Sequence, residues 1–212
     1  MGIAENLQQL KSNLPKHITL VAVSKTKNNK AILEAYNKGH SIFGENKVQE
    51  LVKKYEELPK DIHWHMIGHL QRNKVKYIAP FIHLIHAVDS VKLLKEIDKR
   101  AKQNNRIIDC LLQVHIAQED TKFGFGLDEI EGLVKDSELY KYVNIKGMMG
   151  MASFTNNKTQ IKSEFAQLKT LFDSLKNEQI NILSIGMSAD YELAIKKGST
   201  MIRVGSAIFG AR

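Results

Sequence analysis

The chain has 212 residues, of which 43% are hydrophobic and 25% are charged, a composition typical of a soluble globular protein. Its formal net charge is +8, but lysines alternate with acids along helical patterns, so we expect a solvated basic surface and no nucleic-acid partner. No apolar run reaches about 18 residues and the N-terminus has no signal-peptide core, which excludes a membrane span and predicts a cytoplasmic location. The single cysteine, Cys110, lies in an apolar run and is expected to be buried and reduced.

Short apolar runs rich in β-branched residues alternate with helical patterns along the chain. A first helical pattern at 3–13 precedes every strand. Strands are predicted at 18–25, 41–45, 63–68, 82–88, 107–115, 143–151, 181–187 and 201–208. Helices are predicted at 28–39, 46–57, 90–104, 127–137, 158–177 and 189–198, with a weaker helical pattern at 70–79.

This alternation predicts an α/β protein in which helices cover a parallel sheet. Eight strand–helix units favour a closed (β/α)8 TIM barrel with an extra N-terminal helix over an open doubly wound sheet. An open sheet would normally carry a glycine-rich phosphate loop after its first strand, and "VAVSKTKNNK" contains no glycine. The chain has only three prolines and no low-complexity segment, so we expect residues 1–212 to form a single domain.

Two glycine–serine turns follow the last two predicted strands, where barrels often bind phosphate. "IGMSAD" contributes Gly186 and Ser188, and "RVGSAIFG" contributes Gly205 and Ser206 two residues after Arg203. Taken singly, Ser188 would only cap a helix and Gly205 would only close a turn. Together, at neighbouring strand ends, their backbone N–H groups predict an anion site.

Lys25 ends the first predicted strand, in the stretch "ITLVAVSKTK". Desolvation at the end of a buried strand disfavours the ammonium form, and a neutral amine can form a Schiff base with a carbonyl. The alternative is a lysine that only extends to solvent. Combined with the anion site, Lys25 predicts a ligand that carries both a phosphate and a carbonyl. Pyridoxal 5′-phosphate (PLP) fits this description, and so does a phosphosugar aldehyde.

Five motifs together resemble the YggS/PROSC family of PLP homeostasis proteins, which is related to the N-terminal barrel of alanine racemase. They are "LVAVSKTK", "FGEN" followed by "VQE", "WHMIGHLQRNK", "GMMGM" and "LSIGMSADYELAIKKGSTMIRVGSAIFGAR". The resemblance covers about residues 18–212 and implies the barrel fold, PLP as cofactor and a role in vitamin B6 homeostasis. The cofactor-binding residues that it implies are Lys25, Asn46, Met187, Ser188, Arg203, Gly205 and Ser206.

The resemblance also implies how these residues bind the cofactor. Lys25 would hold PLP as a Schiff base, Ser188 and the Gly205–Ser206 turn would contact the phosphate, Arg203 would face the pyridine nitrogen and Asn46 would lie near the ring. The sequence departs from the family pattern at two positions. A proline is common where this chain has Asn28, and an asparagine where it has His115, but neither departure removes an expected cofactor contact.

An arginine at the pyridine nitrogen would only donate, which leaves that nitrogen neutral and limits carbanion chemistry. In alanine racemase the second base is a tyrosine from an added domain of the partner subunit, which we do not expect here. We therefore predict a monomer that holds PLP, and delivers it to PLP-dependent apo-enzymes or buffers it, without robust turnover. The alternative is a PLP-dependent amino-acid racemase or lyase. Its second base would be a tyrosine on a helical pattern: Tyr36, Tyr55, Tyr77 or Tyr191.

A metal-dependent hydrolase is a further alternative, because "HWHMIGH" places three histidines close together. His63 and His65 would point to one side of a strand, with His69 beyond it and His115 as a fourth ligand. The ends of strands six and eight offer no carboxylate, so we expect no metal. His65 is then either a polar residue of the cofactor pocket or a hydrogen-bonded core histidine.

Overall fold

A computed structural model describes residues 2–119 and 123–210. Eight parallel strands are hydrogen-bonded in chain order and close into a barrel through the pairing of β8 with β1. The strands are β1 Thr19–Val23, β2 Ile42–Glu45, β3 His63–Met66, β4 Leu84–Val88, β5 Ile108–Val114, β6 Val143–Gly150, β7 Ile182–Met187 and β8 Met201–Val204. The predicted (β/α)8 barrel is confirmed.

One helix follows each strand, and one more precedes the barrel as predicted. The helices are α1 Ile3–Asn13, α2 Asn29–Tyr36, α3 Val48–Glu57, α4 Val75–Ile78, α5 Val91–Gln103, α6 Ile130–Lys135, α7 Lys158–Leu175, α8 Tyr191–Lys196 and α9 Ser206–Phe209. Short 3₁₀ turns at Arg72–Lys74, Leu127–Glu129 and Asp136–Leu139 flank α4 and α6. Within the described ranges, no helix is both long enough and apolar enough to cross a membrane.

The first and last predicted strands are longer than those of the structure, and both differences concern the candidate site. The predicted strand 18–25 ends at Val23, so Lys25 lies in the following turn, where Thr26 has φ of 65°. The predicted strand 201–208 ends at Val204, and a single helical turn begins at Ser206. Apolar runs this short do not distinguish strand from helix, which is why the sequence pattern extended too far.

The core has two layers. The larger layer lies between the barrel wall and the helices and contains the fully buried rings of Trp64, Phe43 and Phe165. The smaller layer fills the barrel with side chains from five strands: Val21, Leu84, Ala87, Leu111, Met149 and Met201. Cys110 is buried, as expected. The barrel interior also contains buried polar side chains, and several of them support the site described below.

Helix α1 packs against α2 and α9 and so connects the two ends of the described chain. Asn6 donates a side-chain hydrogen bond of 3.1 Å to the backbone carbonyl of Ile208. The backbone N–H of Ala4 donates to Glu34 on α2, also at 3.1 Å. Through α9, the N-terminal helix therefore supports the turn that follows β8.

Candidate functional site

A cavity of about 430 Å³ opens at the carboxyl ends of the strands, mainly beside β1, β2, β7 and β8. Active sites of (β/α)8 barrels lie at this end of the barrel. The structure brings all seven residues expected at a cofactor to the wall of this one cavity: Lys25, Asn46, Met187, Ser188, Arg203, Gly205 and Ser206. Their roles toward a ligand remain predictions.

The cavity carries positive charge. Lys25, Lys27 and Arg203 all line it, and its described lining contains no acidic side chain. Lys25 is partly buried. The ammonium of Lys27 donates to the carbonyl oxygens of Phe209 and Gly210 at 3.1 and 3.3 Å, which ties the first turn of the barrel to the end of α9. These charges suit an anionic ligand.

The two glycine–serine turns are joined directly. The backbone N–H of Gly205 donates to the hydroxyl oxygen of Ser188 at 3.1 Å. The alternative in which Ser188 only caps a helix is wrong, because α8 begins only at Tyr191 and Asp190 occupies the capping position. Ser188 instead holds the turn after β7 against the turn after β8, at the place where an anion site is predicted.

Close packing requires a glycine near the end of β7 and disfavours a side chain in the turn after β8. Gly186 has φ of 98°, and a Cβ atom there would lie 2.6 Å from the Cβ of Ala194. At Gly205 a Cβ would approach the carbonyl oxygen of Val23 to 3.1 Å. The backbone at both positions therefore packs directly on neighbouring parts of the barrel, which a side chain would hinder.

Arg203 lies inside the barrel and is only 4% exposed. Its Nη1 donates to the carbonyl oxygen and the hydroxyl of Ser184 at 2.8 and 2.6 Å, and its Nη2 donates to the carbonyl of Gly150 at 3.1 Å. Burial lowers the pKa of the guanidinium to about 10, so the group stays charged at neutral pH. Arg203 thus presents a fixed cation that can only donate hydrogen bonds.

A buried ion pair supports the turn that carries Lys25. The ammonium of Lys54 on α3 donates to the Ser24 carbonyl at 2.8 Å and to Glu45 Oε1 at 2.7 Å. The Ser24 hydroxyl donates to the same Glu45 oxygen at 2.6 Å. Glu50 accepts from Lys54 at 2.7 Å and from the backbone N–H of Thr26 at 2.6 Å. Sequence reasoning missed this network, although Glu50 and Lys54 form an (i, i+4) pair on a predicted helix.

Asn46, at the end of β2, has an unpaired acceptor. Its side-chain oxygen Oδ1 is buried and has no hydrogen-bond partner in the structure. Gly68 packs on the backbone of the same residue, where a Cβ would lie 2.5 Å from the Asn46 carbonyl oxygen. Because buried polar atoms are normally paired, this oxygen is ready to accept a hydrogen bond from a ligand. Together with the cations and the joined turns, it fits a phosphorylated ligand with polar ring substituents such as PLP.

The histidines considered as metal ligands do not converge. His63 is exposed at the amino end of β3. His69 lies beyond the carboxyl end of the same strand, where its Nδ1 is 2.8 Å from a carboxylate oxygen of Asp89. His115 lies in a separate cavity of about 560 Å³ beside the start of α7. Across residues 2–119 and 123–210, no group of three or more histidine, cysteine or acidic side chains is arranged to hold a metal. His65 is a core histidine, 2% exposed.

The fold and the site define a (β/α)8 barrel with a cationic cavity, lined in part by Lys25, at the carboxyl ends of its strands. The model of the alanine racemase N-terminal domain family matches residues 2–212. The pyridoxal phosphate homeostasis protein of Aquifex aeolicus is 40% identical over 197 residues, which cover 91% of this chain and 86% of that protein. The chain therefore belongs to the family of pyridoxal phosphate homeostasis proteins, and the resemblance to the YggS/PROSC family is confirmed.

Two solved structures are similar over nearly the whole chain. PipY of Synechococcus elongatus without PLP has a TM-score of 0.93 at 36% identity, covering 98% of this chain and 100% of PipY. The structure of PipY with PLP bound has a TM-score of 0.89 at 35% identity, with the same coverage. The relatives named here are called homeostasis proteins or family members and carry no enzyme name.

Proposed function

We propose that this protein binds PLP in the cavity at the carboxyl ends of the strands and takes part in PLP homeostasis. The observation that carries the proposal is the convergence of all seven expected residues on one cationic cavity. The name of the Aquifex relative and the PLP bound to PipY support the same ligand. We also propose that residues 1–212 act as a single barrel domain, as the closed sheet suggests.

In this proposal Lys25 holds the cofactor as a Schiff base. Its amine nitrogen would bond to the aldehyde carbon, with the carbonyl oxygen lost as water. The joined turns at Ser188 and Gly205–Ser206 bind the phosphate with hydroxyl and backbone N–H groups. Arg203 would donate to the pyridine nitrogen, and the unpaired oxygen of Asn46 would accept a hydrogen bond from the cofactor. Met187, which is 38% exposed, borders the cavity.

We further propose that the protein carries or buffers PLP and does not turn over amino acids at a substantial rate. Bound PLP supplies an electron sink, and a donor-only Arg203 at the ring nitrogen keeps that sink weak. The described lining of the cavity includes no tyrosine that could act as a second base. A racemase or lyase remains the alternative function and would require such a base from elsewhere.

Absorption spectroscopy tests the cofactor and its anchor. Wild type mixed with PLP should develop a Schiff-base band that borohydride bleaches, and mass spectrometry should then find the reduced adduct on the peptide that contains Lys25. Lys25→Ala should lose the band. Lys27→Ala is the matched control because Lys27 lines the same cavity two residues away, and it should keep the band. Absence of a band in wild type under excess PLP would refute the proposal, and phosphosugar aldehydes would be tested next.

Two further assays test the carrier role. Loaded protein mixed with a PLP-dependent apo-enzyme should restore that enzyme's activity, and Lys25→Ala treated with PLP and desalted should restore less. Racemase and lyase rates should stay at background with each amino acid tested. A rate that depends on Lys25 would instead establish the enzyme alternative. Sedimentation should show the monomer that we propose.

A further inference from the structure

Four buried polar side chains form a continuous hydrogen-bonded chain across the barrel interior. Arg203 Nη1 lies 2.6 Å from Ser184 Oγ, Ser184 Oγ lies 3.1 Å from His86 Nδ1, and His86 Nε2 lies 3.0 Å from His65 Nδ1. None of the four residues is more than 4% exposed. They come from β8, β7, β4 and β3, so the chain is a feature of the closed barrel and not of local sequence.

Arg203 and the single proton of the Ser184 hydroxyl together assign a direction to each bond in this chain. A guanidinium only donates, so the hydroxyl oxygen of Ser184 accepts from it. The buried Ser184 hydroxyl also needs an acceptor for its own proton, and among the hydrogen bonds of the described residues His86 Nδ1 is the acceptor in reach. A neutral imidazole carries one N–H group. His86 therefore holds its proton on Nε2 and donates to Nδ1 of His65, which in turn must carry its proton on Nε2. Burial lowers the pKa of both histidines well below the usual value, so both are neutral at pH 7.

The far end of the chain reaches a column of stacked imidazoles. Nε2 of His65 is buried without a hydrogen-bond partner in the structure. The His65 ring is parallel to that of His83 at a centroid distance of 5.6 Å, and His83 stacks on His63 at 4.3 Å. His63 is exposed, at the amino end of β3. The chain thus runs from the cavity through the barrel toward its opposite opening.

We propose that Ser184, His86 and His65 are positioning residues that hold the guanidinium of Arg203 in one orientation at the ligand cavity. The bonds to Ser184 and Gly150 use three of the five guanidinium N–H groups. The other two N–H groups are left to donate to a ligand in the cavity that Arg203 lines. Because the Ser184 hydroxyl donates its proton to His86, the lone pairs of its oxygen face Arg203 and accept from it. The inference rests on the proposed function only in naming PLP as the ligand that this orientation serves.

Nitrogen NMR of the protein without PLP tests the chain directly. Long-range ¹H–¹⁵N spectra should show His65 and His86 as neutral Nε2–H tautomers at pH 7. The Arg203 N–H signals should be resolved because its rotation is restricted. In Ser184→Ala the His86 tautomers should mix and the Arg203 signals should broaden. A Nδ1–H tautomer for either histidine, or Arg203 signals unchanged in Ser184→Ala, would overturn the inference.

Titration with PLP gives the second readout. Ser184→Ala and His86→Leu should shift the absorption maximum of the bound cofactor and raise its Kd about tenfold, which corresponds to about 1.4 kcal/mol. His86→Gln can still accept and donate, so it should restore the wild-type spectrum in part. Ser199→Ala is the matched control, because Ser199 is a buried serine whose hydroxyl meets only backbone carbonyls. It should leave the spectrum unchanged even if the barrel is less stable.

The two readouts separate failure of this inference from failure of the proposed function. If wild type binds PLP and both chain variants match it in spectrum and Kd, the positioning role is refuted while PLP binding stands. If wild type binds no PLP, the proposed function fails, and the histidine tautomers and Arg203 signals alone then decide whether the chain orients Arg203.

Discussion

Replacing Lys54 by methionine should destabilise the barrel strongly, because it leaves a buried carboxylate without its cation. The side chain of Glu45 is fully buried, and that of Lys54 is 6% exposed. Removing one partner of a buried ion pair costs about 3–5 kcal/mol. Methionine keeps most of the apolar stem, so this cost is mainly electrostatic. For a protein of this size, each kcal/mol lowers the Tm by about 2–4 °C, so a decrease of roughly 6–20 °C is expected.

The destabilisation caused by Lys54→Met should increase with pH. Burial raises the pKa of Glu45, and the charge of Lys54 opposes that rise. Without Lys54 the pKa of Glu45 in the folded state rises further above its unfolded value of about 4.5. The folded state then binds more protons than the unfolded state, so stability falls as pH rises from about 4.5 through the folded pKa. The loss of unfolding free energy in Lys54→Met should therefore be larger at pH 8 than at pH 5.

Urea unfolding of wild type and variants at both pH values checks this reasoning. Lys53→Met is the matched control, because Lys53 is the exposed neighbour on α3 and should change stability by less than about 0.5 kcal/mol. Glu45→Gln combined with Lys54→Met removes both charges and should recover much of the loss. A Lys54→Met effect that equals the Lys53→Met effect, or that is the same at pH 5 and pH 8, would refute the argument.

Three more outcomes are expected from other sites. Gly147→Ala should destabilise the protein by at least about 1–3 kcal/mol, because Gly147 has φ of 152° and a Cβ would lie 1.8 Å from the Ile182 carbonyl oxygen. Thermal unfolding measures this loss, and an unchanged Tm would contradict the prediction. Ser188→Ala removes the acceptor for the Gly205 N–H and should raise the Kd for PLP up to about tenfold in titrations, whereas an unchanged Kd would exclude Ser188 from the site. Burial lowers the pKa of His40 to about 4, so the unfolded state binds more protons and stability falls as pH drops from about 6.5. Between pH 7 and pH 4 the protonation of His40 in the unfolded state lowers the free energy of unfolding of wild type by roughly 3 kcal/mol. In urea unfolding, His40→Gln should lack this part of the stability lost at acid pH.

The sequence predicted the barrel because each strand–helix unit carries its own pattern. The eight apolar runs are separated by amphipathic helices, and parallel strands bring their carboxyl ends to one face of the barrel. Lys25 and Gly205 are far apart in sequence yet could be expected at the same opening for this reason alone. At the end of β1 no glycine or proline marks the change from strand to turn. At the end of β8 Gly205 does mark it, but the apolar residues Ala207 and Ile208 that follow made the strand pattern seem to continue.

The supporting contacts could not be predicted, because they depend on which strands are neighbours and how their side chains face. Lys54 reaches from α3 to the carbonyl of Ser24, and His86 meets Ser184 across the barrel. A weak signal exists in the strand patterns, where "LIHAV" and "ILSIG" each place one polar residue inside an apolar run. The hydrophobic pattern of the strands shows that a polar residue there is unusual, but only the closed barrel shows what it contacts.

The contact of α1 with α9 has a consequence for the order of folding. Asn6 and Ile208 are separated by 202 positions in sequence, and β1 pairs with β8. We expect contacts of such high sequence separation to form late, since much of the chain must be ordered before they can be made. The Gly205–Ser206 turn belongs to this last region, so a chain that has not yet closed its barrel lacks part of the anion site. A ligand held there would bind only the finished fold and would draw the folding equilibrium toward it by mass action.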